Sequence, residues 1–269
     1  MPQFNNAMEV FKLLDMSNCR KCNKPTCLAF AAAVFLGQKQ LEECPHLDRD
    51  VIAQFSGQAA KMKGVDQDLE NRLTRLKKII TTVDLPTIAD RLGARFAHGK
   101  LILKCLGKDF SIDTNGNITT DIHVHAWIAI PVFNYIIRGA GTPPEGNWVP
   151  FRELEGGKTW YRLFGQRCEK PLKRVADTYT DLFEDMIRLF NGRRVEKHYQ
   201  SDISLVLHPL PKIPILICYW KPEDGLESSL NVFFDATAEE NLNIESIYTL
   251  ATGLVIMFEK LTLRHGFHS

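Results

Sequence analysis

The chain has 269 residues, 45% hydrophobic and 24% charged, and its 33 Lys plus Arg against 32 Asp plus Glu give a formal charge of +1. These proportions exclude a disordered or fibrous chain and leave room for one large domain, or for one of ordinary size with a small module. They also supply no broad basic surface able to neutralise many phosphates, which argues against nucleic acid as a partner.

The opening "MPQFNNAMEVFKLLDMSNC" lacks the charged, apolar and small-residue order of a secretory signal, and no apolar run long enough to span a bilayer occurs. A cytoplasmic address with no membrane partner is therefore expected. In a reducing compartment, seven cysteines point to metal ligands plus buried thiols rather than to a disulfide framework.

Met8, Phe11, Leu13 and Leu14 predict a short amphipathic helix over 5–15. The loop "NCRKCNKPTC" follows, and "CLAFAAAVFLG" predicts a second helix that starts near Cys27 and stops at Gly37. The polar, charge-alternating stretch that ends "DQDLENRLTRLKK" predicts a helical connector over 51–83, between a module over 1–50 and a domain over 84–269.

Within that domain, "LGARFAHGKLILKCLGKDFSIDTNGNITTD" alternates like strands, and Asn115-Gly116 marks a hairpin turn. "AWIAIPVFNYIIRG" predicts a buried helix with Pro131 near its first turn or at a kink, and "KPLKRVADTYTDLFEDMIRLFNG" one long amphipathic helix. "ISLVLHPLPKIPILICYW" predicts two strands around a proline turn, "SLNVFFDA" a third, and "IESIYTLATGLVIMFEKL" a closing helix able to dock on a sheet. Strands and helices interleave without a βαβ cadence, so the expected fold class is α+β with a largely antiparallel sheet.

Cys19, Cys22 and Cys27 are spaced C-x2-C-x4-C, and Cys44 follows in "LEECPHL". Four thiolates suit a cubane iron–sulfur cluster, whose negative charge Arg20, Lys21, Lys24 and the positive end of a helix at Cys27 would stabilise. Structural zinc also accepts four thiolates but favours two tight C-x2-C pairs, of which there is one here; His46 offers a substitute ligand for zinc, and free thiols remain a third reading.

The line "NCRKCNKPTCLAFAAAVFLGQKQLEECPHL" closely resembles the [4Fe-4S] module of the corrinoid iron–sulfur protein large subunit, from the carbon monoxide dehydrogenase/acetyl-CoA synthase system. The likeness covers roughly residues 5–50 and implies that Cys19, Cys22, Cys27 and Cys44 ligate one low-potential [4Fe-4S] cluster. Beyond it, "WVPFREL", "GGKTWYRLF", "LPKIPILICYW" and "FFDATAEENL" resemble a family of unknown function that follows such modules in anaerobes.

Several further residues have two readings. His123 and His125 could share a strand face as ligands or merely occupy a strand-to-helix junction. Asp235, Glu239 and Glu240 could form a carboxylate site or cap a helix. Trp148, Trp160, Tyr161 and Phe164, with Arg152 and Arg162, could line a pocket or pack a core. Cys105 and Cys218 read as buried thiols, while Cys168, in the basic stretch "GQRCEKP", has the setting of a lowered thiol pKa but no neighbouring base. Neither a phosphate loop nor a nucleophile elbow is present.

The expected function is delivery of low-potential electrons to a redox partner or to a ligand of the second domain, linked to corrinoid or one-carbon chemistry. The alternatives are a redox enzyme with its active site in that domain, and an assembly subunit with a structural cluster.

Overall fold

A computed structural model describes residues 7–35, 39–122, 124–179, 181–196, 198–223 and 225–265, without the side chains of 54, 56–68 and 263–265. The chain divides into two compact units, Met1–Arg72 and Leu73–Ser269. The first contains helices α1 (Ala7–Phe11) and α2 (Cys27–Phe35), and α3 (Arg49–Ile80) runs on into the second. Val10, Leu14, Phe30, Ala31, Val34, Leu41 and Leu47 form the small core of the first unit together with three cysteines. Gly37, the predicted stop of α2, lies outside the described residues.

The second unit is α+β with two antiparallel sheets. After α4 (Leu85–Ile88), strands β1 (Arg95–Ala97), β2 (Lys100–Cys105), β3 (Lys108–Asp113) and β4 (Ile118–Thr120) form a meander in sequence order. Two of its turns hold only two residues, His98-Gly99 (φ 52° and 73°) and Leu106-Gly107 (φ 49° and 78°). Left-handed φ at both central positions matches the twist of antiparallel strands, which is why glycine recurs there. The predicted Asn115-Gly116 turn closes β3 onto β4, with Asp113 accepting the amides of Asn115 (2.9 Å) and Asn117 (2.8 Å).

Then come α5 (Ala126–Arg138), β5 (Trp148–Pro150), α6 (Gly157–Phe164), a π turn over Gly165–Glu169, α7 (Lys170–Thr178) and α8 (Leu182–Phe190). β6 (Arg193–Arg194), β7 (Ile203–Leu210), β8 (Ile213–Trp220), β9 (Ser229–Asp235), α9 (Ala238–Asn241) and α10 (Ile244–His265) complete the unit. The second sheet has strand order β5-β9-β8-β7-β6. β8 is buried from Ile213 to Tyr219, the signature of a central strand covered on both faces. On one face Phe234 meets the stacked pair Phe151 and Phe164, whose ring centroids are 4.2 Å apart. On the other, Val206, Leu216 and Cys218 lie under Trp148, Val195, Trp220 and Phe233.

One predicted detail differs. The helix expected over 170–190 is two, because Tyr179 takes extended backbone (φ −122°, ψ 93°) and its hydroxyl bonds Asp185 at 2.6 Å. Pro131, expected near the first turn of α5 or at a kink, is its sixth residue. The closing helix α10 packs closely on α5 and α7. Its Gly253 permits the approach to α5, since a Cβ there would stand 3.2 Å from that of Trp127. Among the described residues no helix is long and apolar enough to cross a membrane.

Candidate metal centre

Between α1 and α2 the chain turns sharply without glycine. Met16 (φ 57°), Asn18 (φ 50°), Arg20 (φ 62°) and Asn23 (φ 57°) all take left-handed backbone. Each such non-glycine residue costs roughly 1–2 kcal/mol, so the loop needs compensating contacts.

A reciprocal pair supplies one contact. The Cys27 amide donates to Asn18 Oδ1 at 2.7 Å, and the Asn18 amide points at Cys27 Sγ at 3.3 Å. Thr26 caps α2 by accepting the Ala29 amide at 3.1 Å, which sets Cys27 at the positive end of the helix. A further turn, closed by Leu47 N–H to Cys44 O at 3.3 Å, carries Cys44 into the same core.

The structure thus brings Cys22, Cys27 and Cys44 into one buried apolar cluster, with Cys19 half-buried in the loop beside Asn18. Burial holds the Cys44 thiol above its ordinary range, and Asp15 and the neighbouring Cys22 and Cys27 add to this against the opposing pull of the His46 amide at its sulfur. The group is therefore set to gain from a cation that takes up thiolate charge. Among the described residues, no three His, Cys, Asp or Glu side chains stand close enough to hold a single metal ion.

His46 faces Asp15, with Nδ1 3.5 Å from Oδ2. Asp15 in turn accepts the Ser17 amide (3.2 Å) and hydroxyl (2.9 Å), which together with His46 hold its carboxyl below the usual range. Arg20 and Lys21 are exposed and Lys24 is half-buried. Sequence reasoning missed Asn18 and the His46 amide. Asparagine's tolerance of left-handed backbone was the one available signal for the former.

The remaining candidates do not converge. His123 lies outside the described residues, and His125 caps α5 by accepting the Trp127 amide at 3.2 Å. Asp235 accepts the amides of Glu145, Gly146 and Thr237, Glu239 accepts that of Glu155, and Glu240 accepts the Thr142 hydroxyl. Phe164 is core, Trp160 packs on Tyr248 at 5.3 Å, and Tyr161 is exposed, so the aromatic set lines no common pocket. Cys105, Cys168 and Cys218 are buried. Burial pushes the Cys105 thiol up to about 12 and raises that of Cys168, with the adjacent Glu169 adding to the latter. The basic stretch around Cys168 therefore produces no thiolate.

Two family models match the chain: a "Domain of unknown function (DUF3786)" over residues 84–257 and a "Putative Fe-S cluster" over residues 14–46. Acetyl-CoA decarbonylase/synthase complex subunit gamma of Methanocaldococcus jannaschii is 40% identical over 48 residues, 18% of this chain and 10% of that protein. Its counterpart in Methanothermobacter thermautotrophicus is 43% identical over 44 residues, 16% of this chain and 10% of that protein. The corrinoid/iron-sulfur protein large subunit of Moorella thermoacetica is 42% identical over 40 residues, 15% of this chain and 9% of that protein. The chain thus spans about a tenth of the length of these relatives. No solved structure matches it.

Proposed function

From the premise that the chain belongs to the family described as a domain of unknown function (DUF3786), we propose that it is an iron–sulfur protein of anaerobic one-carbon metabolism whose cysteine module handles electrons. Cys19, Cys22, Cys27 and Cys44 would hold one [4Fe-4S] cluster, which supplies one-electron chemistry when bound. The observation that carries this reading is the meeting of three thiols in one apolar pocket, with backbone N–H groups aimed at two of the sulfurs. Those amides and the start of α2 would stabilise sulfur-borne charge, and Val10, Phe30 and Val34 would keep water away.

The sequence spacing of the four cysteines favours a cluster over zinc, because structural zinc favours two tight C-x2-C pairs and this chain has one. A cubane would attach each thiolate to its own iron. The matched relatives are named as subunits of an acetyl-CoA decarbonylase/synthase complex or of a corrinoid/iron-sulfur protein. An assembly of that kind is the partner we propose, with low-potential electrons passing to it or to an acceptor held by the second domain.

Anaerobic purification, with iron, sulfide and zinc analysis and paramagnetic resonance after reduction, tests this. We expect about four irons and four sulfides per chain and a reversible signal. Stoichiometric zinc without iron would sink the assignment, and an iron centre that cannot be reduced would leave only a structural cluster.

A further inference from the structure

We propose that the cavity at one end of the outer face of the five-stranded sheet is a binding site for a small organic carboxylate, where Arg193 stands at the mouth over an apolar floor. The cavity measures about 250 Å³ and lies wholly within the second unit. That is below the roughly 300–1,000 Å³ of sites for drug-sized ligands, so the occupant is small.

Strand register explains the lining. Trp148 pairs with Asp235 across β5 and β9, and Arg193 with Val206 across β6 and β7. His208 is two residues beyond Val206 on the same face, and all five residues line the cavity. The floor, at Val206 and Pro214, is buried, while Arg193 and His208 are exposed at the opening. An apolar floor takes a carbon body, and a bare inorganic anion would leave it unfilled.

The sign of the ligand's charge follows from the polar groups. Asp235 is buried, but its carboxylate already accepts Gly146 N at 2.6 Å, Glu145 N at 3.2 Å, and the Thr237 amide and hydroxyl at 3.1 and 2.7 Å. With no exposed surface and four donors on its oxygens, it offers no free oxygen to a ligand in the cavity. Partial burial and the adjacent Arg193 guanidinium hold His208 below the usual imidazole range. Among the described lining residues the exposed fixed charge is therefore the Arg193 guanidinium, beside the imidazoles of His198 and His208, and a planar guanidinium matches a carboxylate through paired hydrogen bonds.

This inference does not depend on the cysteines holding a cluster. Calorimetric titration of the full chain, prepared anaerobically, with benzoate, hexanoate, benzamide and inorganic phosphate tests it. We expect benzoate or hexanoate to bind, phosphate not to, and benzamide to bind about tenfold or more weakly than benzoate. Arg193→Gln should lose a similar factor. Arg194→Gln should not, because Arg194 instead pairs with Glu184 at 2.8 Å. Equal binding of benzoate and benzamide, no binding of either acid at millimolar concentration, or full affinity in Arg193→Gln would overturn the proposal. The acid-against-amide comparison uses the unmodified chain, so it holds even if a variant misfolds.

Discussion

Among the described residues, three of the ten in the core cluster of the first unit are cysteines, whereas the second unit is filled by large apolar side chains such as Phe110, Phe133, Tyr135, Phe151, Phe164 and Phe234. A thiol buries far less carbon than leucine or phenylalanine, and a module of some forty residues has little other interior to offer. The second unit has two sheets and a helical layer that bury their own faces. The contrast teaches that buried cysteines occupy two different settings. Cys22, Cys27 and Cys44 meet where ligation would stabilise the fold, while Cys105, Cys168 and Cys218 are small hydrophobes among large apolar side chains.

The largest way to break that comparison is to remove the iron. Structural zinc contributes about 10–16 kcal/mol to folding in small metal-dependent modules, and the proposed cluster should matter on the same scale. After oxidative destruction of the cluster and chelation, residues 7–48 should lose their amide-exchange protection while β7, β8 and β9 keep theirs. Protection that survives in the module would mean its thiols are packing residues like those of the other unit.

The converse change should spare the module. Phe234 is fully buried and touches both Phe151 and Phe164, so Phe234→Ala should lower the stability of the second unit by about 3–5 kcal/mol. Denaturant titration reads the loss. Iron content and the reduced-state resonance should stay unchanged, and a parallel loss of iron would show that the module leans on the larger core.

A smaller effect separates the module's backbone from its side chains. Asn18→Ala removes the acceptor for the Cys27 amide and puts alanine at φ 50°, which together should cost about 2 kcal/mol. Asn18→Gly relieves the backbone strain but not the lost hydrogen bond. Iron release into a chelator should therefore be fastest for the alanine variant, intermediate for glycine and slowest for the unmodified chain.

What was legible in the sequence was what is local. The C-x2-C-x4-C spacing, the turn at Asn115-Gly116 and the apolar run of β8 each lie within a few positions of the chain. Periodicity alone ran 170–190 into one helix, because it cannot register the extended backbone at Tyr179. Asn18 escaped notice since its partner is nine residues away. The cavity could not be read at all, for its lining comes from residues between Pro144 and Asp235 and meets only once five strands pair.

The smallest expected effect concerns charge rather than folding. Lys24 is half-buried near the thiols and Lys21 is exposed, so exchanging each for glutamate compares one charge change in two settings. Reduction adds negative charge to the centre, so a Lys-to-Glu exchange disfavours the reduced form and the potential should fall. At a separation of roughly 10 Å and an effective dielectric of about 20–80, a change of two charges amounts to about 1–3 kcal/mol before screening. With salt, this leaves several tens of millivolts for Lys24→Glu, and less for Lys21→Glu, whose charge solvent screens more fully. Redox titration followed by paramagnetic resonance at two salt concentrations reads both shifts. An unchanged potential in Lys24→Glu would mean that the basic loop serves a docking partner rather than the cluster.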